Sequence, residues 1–158
     1  MTNYRTCCAD DIPHVKRVFK DAVLNIGAHA YSAEQVRVWA AFADDPLFED
    51  QLKEGITLVA EQKEQIVGFG QLHPLNHIAL LYVDSHYANM HIGSELAKIL
   101  ERKAEESGMK AVSVEASKIA RPFFEKQGYT VLEKEVIDRN GVEFERFLMH
   151  KRICDGIC

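Results

Sequence analysis

A strand–helix–strand order in the second half of the chain restricts the possible folds more than any other feature. The run Ile78 to Val83 is continuously apolar, which is typical of a strand buried on both faces of a sheet. A helical pattern from about Gly93 to Ser107 follows, and a second strand is predicted over Ala111 to Glu115. Because a crossover helix joins strands that run in the same direction, we expect these two strands to be parallel neighbours.

The N-terminal part of the chain carries the patterns of two amphipathic helices. Apolar residues recur at helical spacing between Val15 and Ile26, and either Asp10 or Asp11 is a candidate N-cap. Ser32 and Gln35 have the spacing of a capping box, which predicts the start of a second helix. Each helix is expected to pack its apolar side against the core.

The remaining strands are predicted in two hairpins. The first joins Ile56 to Glu61 with Gln65 to Leu72, and the second joins Tyr129 to Ile137 with Val142 to His150 through an Asn-Gly turn. A short helix around Pro122 to Gln127 precedes the second hairpin. The complete order, β, α, α, β, β, β, α, β, α, β, β, predicts a single α/β domain over residues 1–158, with a mixed sheet and helices on both faces.

Charge and hydropathy argue against several classes of partner. The formal net charge is -5 and the basic residues form no stripe, which argues against general binding to nucleic acid. No apolar run exceeds six residues, whereas a membrane helix needs about 20, so we expect no membrane insertion. The N-terminus shows no secretion signal, so we expect a cytoplasmic protein.

The four cysteines lie near the ends of the chain, at Cys7, Cys8, Cys154 and Cys158. Neither adjacent cysteines nor cysteines in a tail match a known zinc-ligand spacing. We therefore expect no metal site and four reduced, unpaired thiols.

A candidate anion site lies in the loop before the crossover helix. In open sheets with parallel strands, ligands bind in the crevice at the carboxyl ends of those strands. The loop Tyr87 to Ser94 occupies this position and leads to the free N–H groups at the positive end of the helix dipole. Position alone therefore favours a phosphate group here.

Three segments, together with the element order, carry a resemblance to a known family. They are the run Ile78 to Val83 with its following loop and helix, the run Glu115 to Tyr129, and the Tyr-Ser-x-Glu/Gln-Gln segment at Tyr31 to Gln35. Over about Asn3 to Lys151 the chain resembles the GNAT N-acetyltransferases, and more narrowly a small bacterial branch of them. The resemblance implies a largely antiparallel mixed sheet in which one parallel strand pair splays apart.

The resemblance also implies that acetyl-CoA is the co-substrate and that an amine, on a small molecule or a peptide, is the acceptor. The pantetheine arm would lie between the splayed strands along the main chain of Leu81 to Val83, and the pyrophosphate would lie on N–H groups of His91 to Ser94. Ser117 either contacts the coenzyme or caps a helix, and Arg121 either pairs with a phosphate or is solvated. The residues expected to bind the coenzyme are Leu81, Tyr82, Val83, Asn89, Met90, His91, Ile92, Gly93, Ser94, Ser117, Arg121 and Phe124.

The phosphate loop departs from the family pattern Gln/Arg-x-x-Gly-x-Gly/Ala. The corresponding residues run from Ala88 to Gly93, and of these only Gly93 fits. His91 stands at a glycine position, where its Cβ hinders the close approach of the backbone to phosphate, and Met90 brings no charge. We therefore expect weak coenzyme binding, although a protonated His91 could itself donate to a phosphate.

Few residues are candidates for proton transfer. Phe124 stands where many family members have a tyrosine that protonates the thiolate, and Ala79 stands at a strand position that is often acidic. His77, two residues earlier on the same strand face, is the first candidate for the catalytic base, because histidine titrates near neutral pH. His73 and Glu115 are rival bases.

Two functions remain open at this point. One is an acetyltransferase that acts by direct attack of an amine on acetyl-CoA. The other is a GNAT-like module that has lost catalysis and binds coenzyme A or another small ligand. Tyr31, Trp39 and Phe42 either line an acceptor pocket or belong to the core. A homodimer is also compatible with the sequence.

Overall fold

A mixed sheet organises the chain in the computed structural model, which describes residues 1–154. Its seven strands, counted over those residues, lie in the order β1-β2-β3-β4-β5-β7-β6. They are β1 Asn3–Thr6, β2 Ile56–Gln62, β3 Gln65–Leu72, β4 His77–Val83, β5 Ala111–Ser117, β6 Thr130–Arg139 and β7 Val142–Arg152. Neighbouring strands are antiparallel except β4 and β5, which are parallel. The expected fold class and the parallel pair are therefore confirmed.

Helices cover both faces of this sheet, as expected. They are α1 Ile12–Ile26, α2 Ala33–Ala41, α3 Pro46–Leu52, α4 Ile92–Glu106 and α5 Arg121–Lys126. One core layer, which includes Phe19, Phe48 and Phe69, joins α1 to α3 with the sheet. The other includes Leu96 and Leu100 of α4. None of the helices within residues 1–154 combines the length and the apolar character needed to cross a membrane.

Helix α3 is an element that the sequence pattern did not predict. It has seven residues, so its apolar spacing does not extend over enough turns to reveal a helical period. Asp45 caps it by accepting a hydrogen bond from the N–H of Leu47 at 2.9 Å, and Pro46 occupies its first turn. Phe48 and Leu52 are buried and anchor the helix in the core.

The two predicted helix caps have different outcomes. The capping box of α2 is confirmed, because Ser32 Oγ accepts from the N–H of Gln35 at 3.1 Å and Gln35 Oε1 accepts from the N–H of Ser32 at 2.9 Å. Asp11 precedes α1, but its carboxylate does not cap that helix. It accepts instead from Arg5 of β1 at 2.7 and 2.9 Å, and this guanidinium holds the pKa of Asp11 well below its usual range.

Both predicted hairpins are confirmed, and the backbone angles of the second turn explain why its sequence predicted it. Asn140 and Gly141 have φ angles of 53° and 81°. Two successive positive φ angles match the twist of the flanking strands, and asparagine and glycine adopt them most easily. The turn brings β7 back between β5 and β6.

Strand β4 differs from the expectation that both of its faces are buried. Ile78 and Leu80 are buried, whereas the other residues of the strand are half-buried. In the register with β3, Leu80 pairs with Gln71 and Ile78 pairs with Leu72, so that Ala79 is an extra residue in a β-bulge. The strand stays partly accessible because one of its edges borders the cleft described below.

The cysteines differ from the expectation of four unpaired thiols. Cys7 and Cys8 are free, and burial raises the pKa of the Cys7 thiol to about 11. Cys154 is disulfide-bonded, so the expectation is wrong for this residue. Cys158 lies outside the described residues. Spacing along a chain carries no information on connectivity, which depends on where the fold places each thiol.

Candidate active site

The parallel strands β4 and β5 separate soon after they meet. Their register contains two pairs, His77 with Ser113 and Ile78 with Val114. Beyond them, the bulge at Ala79 changes the course of β4. A cleft of about 780 Å³ extends from this split, and it is lined by residues of β4, β5 and the loop before α4. The predicted splay is therefore present, and it leaves main-chain groups of β4 without a partner strand on that side.

The loop before α4 contains two residues, His91 and Asn89, in a backbone conformation that glycine favours. His91, the residue before the first helical residue Ile92, has φ 63° and ψ 13°, which is the left-handed conformation. Asn89 has a φ of 62°. Such angles are unusual for residues with a Cβ. The N–H groups of the first turn of α4 therefore remain directed along the start of the helix, where they have no intrahelical acceptor.

Most residues expected to bind a coenzyme line this cleft. The members of that set that lie there are Leu81, Tyr82, Val83, Asn89, His91, Ile92, Gly93, Ser94, Ser117 and Phe124. Met90 and Arg121 are not among the lining residues. Met90 is 56% exposed, and the Arg121 guanidinium lies 4.7 Å from the ring centre of Phe147 and 3.5 Å from Glu125.

Ser117 and Phe124 also have structural partners. The hydroxyl of Ser117 accepts a hydrogen bond from the N–H of Ala120 at 3.1 Å and so stabilises the turn before α5. Phe124 is buried, and its ring packs edge-on against Phe123 and Tyr129 at 5.0 and 5.2 Å. Phe124 brings no ionisable group to the cleft.

A chain of polar side chains crosses the point where β4 and β5 separate. Nδ1 of His77 lies 2.7 Å from Oγ of Ser113, and Nε2 of His77 lies 3.6 Å from Glu115. Glu115 also pairs with Arg146 of β7 at 2.5 Å, and Arg146 pairs with Glu135 of β6 at 2.6 Å. His77, Glu115 and Arg146 all line the cleft.

The environment of His77 favours its neutral form. Burial lowers the pKa of the imidazole, Glu115 opposes this decrease, and Arg146 adds to it. A neutral imidazole can accept a proton, so His77 has the protonation state required of a base near neutral pH. His73, the rival candidate, is not among the cleft residues and lies 3.0 Å from Glu54.

Aromatic side chains line the end of the cleft that faces α1 and α2. Trp39 packs edge-on against Tyr31 at 5.3 Å and against Tyr82 at 6.4 Å, and Tyr31 lies 6.2 Å from Phe144. Phe42 lines the same region. Tyr31, Trp39 and Phe42 were expected either to line a pocket or to belong to the core. The structure shows both, because these rings pack in or against the core and also line the cleft.

Ser113, Arg139 and Arg146 are polar cleft-side residues that sequence reasoning missed. Arg146 and Arg139 line the cleft because β7 inserts between β5 and β6. Ser113 reaches His77 because the two residues are partners in the parallel register. Alternation along the second hairpin would have shown that Arg139 and Arg146 project from strands, but not which cavity they face.

Comparisons with known proteins agree with this geometry. Residues 27–151 match the model of the acetyltransferase (GNAT) domain family. The chain is 29% identical to the uncharacterized N-acetyltransferase YafP of Escherichia coli strain K12, over 88% of each protein. It is 31% identical to a GCN5-related N-acetyltransferase of Rhodopseudomonas palustris, with a TM-score of 0.93 over 96% of each chain. The PaiA N-acetyltransferase of Thermoplasma acidophilum, solved with coenzyme A, is 20% identical with a TM-score of 0.74 over 96% of this chain and 99% of that one, a likeness that concerns the fold.

Proposed function

Because the chain belongs to the GNAT acetyltransferase domain family and is an N-acetyltransferase, we propose that it transfers an acetyl group from acetyl-CoA to an amine by direct attack. The observation that carries this proposal is the split between β4 and β5. The split ends beside His77 at one side and beside the start of α4 at the other. The chain thus has one continuous cleft with an anion-binding end and a proton-accepting group.

The residues of the cleft fit acetyl-CoA in two respects. The free edge of β4 offers main-chain groups of Leu81 to Val83 to an extended pantetheine arm. The left-handed backbone at His91 keeps the first-turn N–H groups of α4 available for a pyrophosphate. His91 therefore brings a larger side chain than the glycine of the family pattern, but its backbone keeps a conformation that glycine favours. Bound acetyl-CoA would supply an activated acetyl thioester.

In the proposed step, the amine nitrogen forms a bond to the acetyl carbon and the carbon–sulfur bond breaks. The sulfur leaves with the electron pair of that bond, and the nitrogen loses a proton. Nε2 of His77 accepts that proton, while Oγ of Ser113 holds Nδ1 and so fixes the orientation of the ring. The thiolate takes a proton from solvent, since Phe124 offers none.

A second candidate function, a module that binds coenzyme A without catalysis, is favoured by one observation. Phe124 is buried between two other rings and replaces a hydroxyl that could protonate the thiolate. Such a module would share the cleft and the anion site. The two candidates therefore differ in turnover and not in coenzyme binding.

One experiment tests the proposal and separates it from the second candidate. Acetyl-CoA binding is measured by calorimetry, and thiol release is followed across a panel of amines and peptides. The transferase requires both binding and amine-dependent thiol release. Binding with no release for any amine would support the module, and the absence of binding would contradict both functions.

A further inference from the structure

The aromatic end of the cleft forms a box with few polar groups. Its rings are those of Tyr31, Trp39, Phe144 and Tyr82: Tyr31 packs against Trp39 at 5.3 Å and against Phe144 at 6.2 Å, Trp39 packs against Tyr82 at 6.4 Å, and all four residues line the cleft. Rings of this kind favour a flat aromatic guest, which they contact edge-on or in an offset stack. The box, His77 and Glu115 line the same cleft, so a guest that packs against the rings shares this cleft with the proposed base.

Arg139 adds a positive charge to the same cleft. It is the last residue of β6, it is exposed, and it is one of the lining residues. Within residues 1–154, Arg139 has no carboxylate at ion-pair distance. Arg146, by contrast, lies between Glu115 and Glu135.

Two acidic residues near Arg139 in the hairpin have other partners. Glu145, another cleft residue, pairs with Lys134 at 3.3 Å, and Asp138 accepts from the N–H of Gly141 at 3.0 Å. Arg139 and the four rings of the box line the same cleft. Burial raises the pKa of the Tyr82 hydroxyl, and a hydrogen bond donated by Trp39 and the charge of Arg139 oppose this increase. The guanidinium is thus available to a ligand.

We propose that the acceptor is an amine that carries both an aromatic ring and a carboxylate, for which a free aromatic amino acid is the simplest form. This inference rests on the proposed acetyl transfer. The ring occupies the box of Tyr31, Trp39, Tyr82 and Phe144, the carboxylate pairs with Arg139, and the amine faces His77. A guanidinium binds a carboxylate through two parallel hydrogen bonds, which also fixes the direction of the amine.

The positive charge of Arg139 favours an acceptor that carries a carboxylate as well as an amine. An amine in neutral solution is mostly an ammonium ion, which loses one proton to solvent before the neutral amine attacks, and the charge of Arg139 would repel a simple cation. A zwitterion has no net charge, and its carboxylate turns the repulsion into an attraction. The N-terminus of a peptide lacks a carboxylate at this distance and so lacks this contact.

The test compares three probes that differ in one group each. Phenylalanine carries ring and carboxylate, phenylalaninamide carries the ring with a neutral amide, and glycine carries the carboxylate without the ring. Binding is followed by the fluorescence of Trp39, the only tryptophan in the sequence, and acetylation is followed by thiol release. Phenylalanine should have a KM about 10-fold or more below that of either other probe.

Two variants distinguish a specific contact from general charge. Arg139→Gln should raise KM for phenylalanine about 10-fold, with kcat changed less than about 3-fold, and should not raise KM for phenylalaninamide, whose ammonium group Arg139 repels. Arg139→Lys keeps the charge and should restore part of the loss. Arg102→Gln, which removes an exposed arginine of α4 outside the cleft, should change nothing.

The inference fails separately from the proposed function. Equal KM values for phenylalanine and phenylalaninamide, or an Arg139→Gln variant equal to the parent, would overturn the carboxylate contact even if amines are acetylated. Acetylation of glycine as efficiently as phenylalanine would overturn the aromatic box. If no probe is acetylated, the fluorescence of Trp39 still tests the site. A change on adding phenylalanine that is weaker in Arg139→Gln would support the binding site but not the transferase. No change would overturn the proposed binding site.

Discussion

Nε2 of His77 lies 3.6 Å from Oε1 of Glu115, although the two residues belong to different strands and are 38 positions apart in the sequence. The contact exists because His77 and Ser113 are partners in the parallel register, which brings Glu115 to the same side two residues later. Two of the three predicted bases thus belong to one cluster, in which Glu115 is held by Arg146. We therefore propose a proton-accepting role for His77 and a positioning role for Glu115.

We predict that His77→Gln lowers turnover while acetyl-CoA affinity stays within about 3-fold of the parent. A general base contributes roughly 10²- to 10⁴-fold to the rate, and in the proposed placement the coenzyme would contact the main chain rather than this ring. Steady-state kinetics and calorimetry on the same preparation check this. His73→Gln is the matched control, since His73 lies outside the cleft lining; a loss in His73→Gln with none in His77→Gln would reverse the assignment.

We predict that kcat/KM rises with pH, with an inflection below the usual histidine pKa of about 6.5. Burial lowers the pKa of His77, so its neutral, proton-accepting form predominates from a lower pH than in an exposed histidine. The rate should fall only as the pH decreases through that lowered pKa. A pH–rate profile between pH 4.5 and 8.5 checks the sign, and an inflection above about 7 would contradict it.

Two variants should move this inflection in opposite directions. Glu115 raises the pKa of His77, so Glu115→Gln should shift the inflection to lower pH. Arg146 lowers it, so Arg146→Gln should shift the inflection to higher pH. The same pH–rate measurement applies to both variants. Shifts of the same sign would mean that the group that titrates in the rate is not His77.

We predict that the double change Met90→Arg and His91→Gly increases affinity for acetyl-CoA about 10- to 150-fold, as expected for one charged hydrogen bond. Glycine adopts the left-handed angles of position 91 without strain, and arginine brings a charge to the phosphate end. The gain should shrink as salt increases. Calorimetry at low and high salt measures both effects.

Pantetheine supplies the control for this loop. It lacks the pyrophosphate, so the parent and the double variant should bind it equally. An equal gain for pantetheine, or no gain for acetyl-CoA, would show that the loop before α4 does not bind the phosphates.

A partly buried ion pair should stabilise the junction of α4 and β7. Glu101 is buried and accepts from Tyr129 at 2.8 Å and from Lys151 at 3.0 Å. Lys151→Met should lower the free energy of unfolding by about 1–3 kcal/mol, because it leaves the Glu101 carboxylate with one partner fewer. Urea unfolding measures this. Lys134→Met, which removes a lysine from the exposed pair with Glu145, is the control and should cost less than about 1 kcal/mol.

The sequence by itself determined the elements whose signals are local. The capping box at Ser32, the Asn-Gly turn at Asn140 and the β4–α4–β5 crossover are each set by residues close together in the chain. Short elements such as α3 escaped prediction because seven residues do not display a period. Local chemistry also predicts an anion site before α4, and the structure adds that His91 has left-handed backbone angles there.

Only the tertiary structure decided which side chains share the cleft. Arg146 reaches Glu115 because β7 lies next to β5, and Arg139, at the end of β6, lines the same cleft. His77 was the first candidate base in the sequence and His73 a rival, and the turn between β3 and β4 places His73 beside Glu54 and outside the cleft lining. Strand order and register depend on contacts between residues far apart in the chain, and burial sets the pKa of His77. Neither can be derived from neighbouring residues alone.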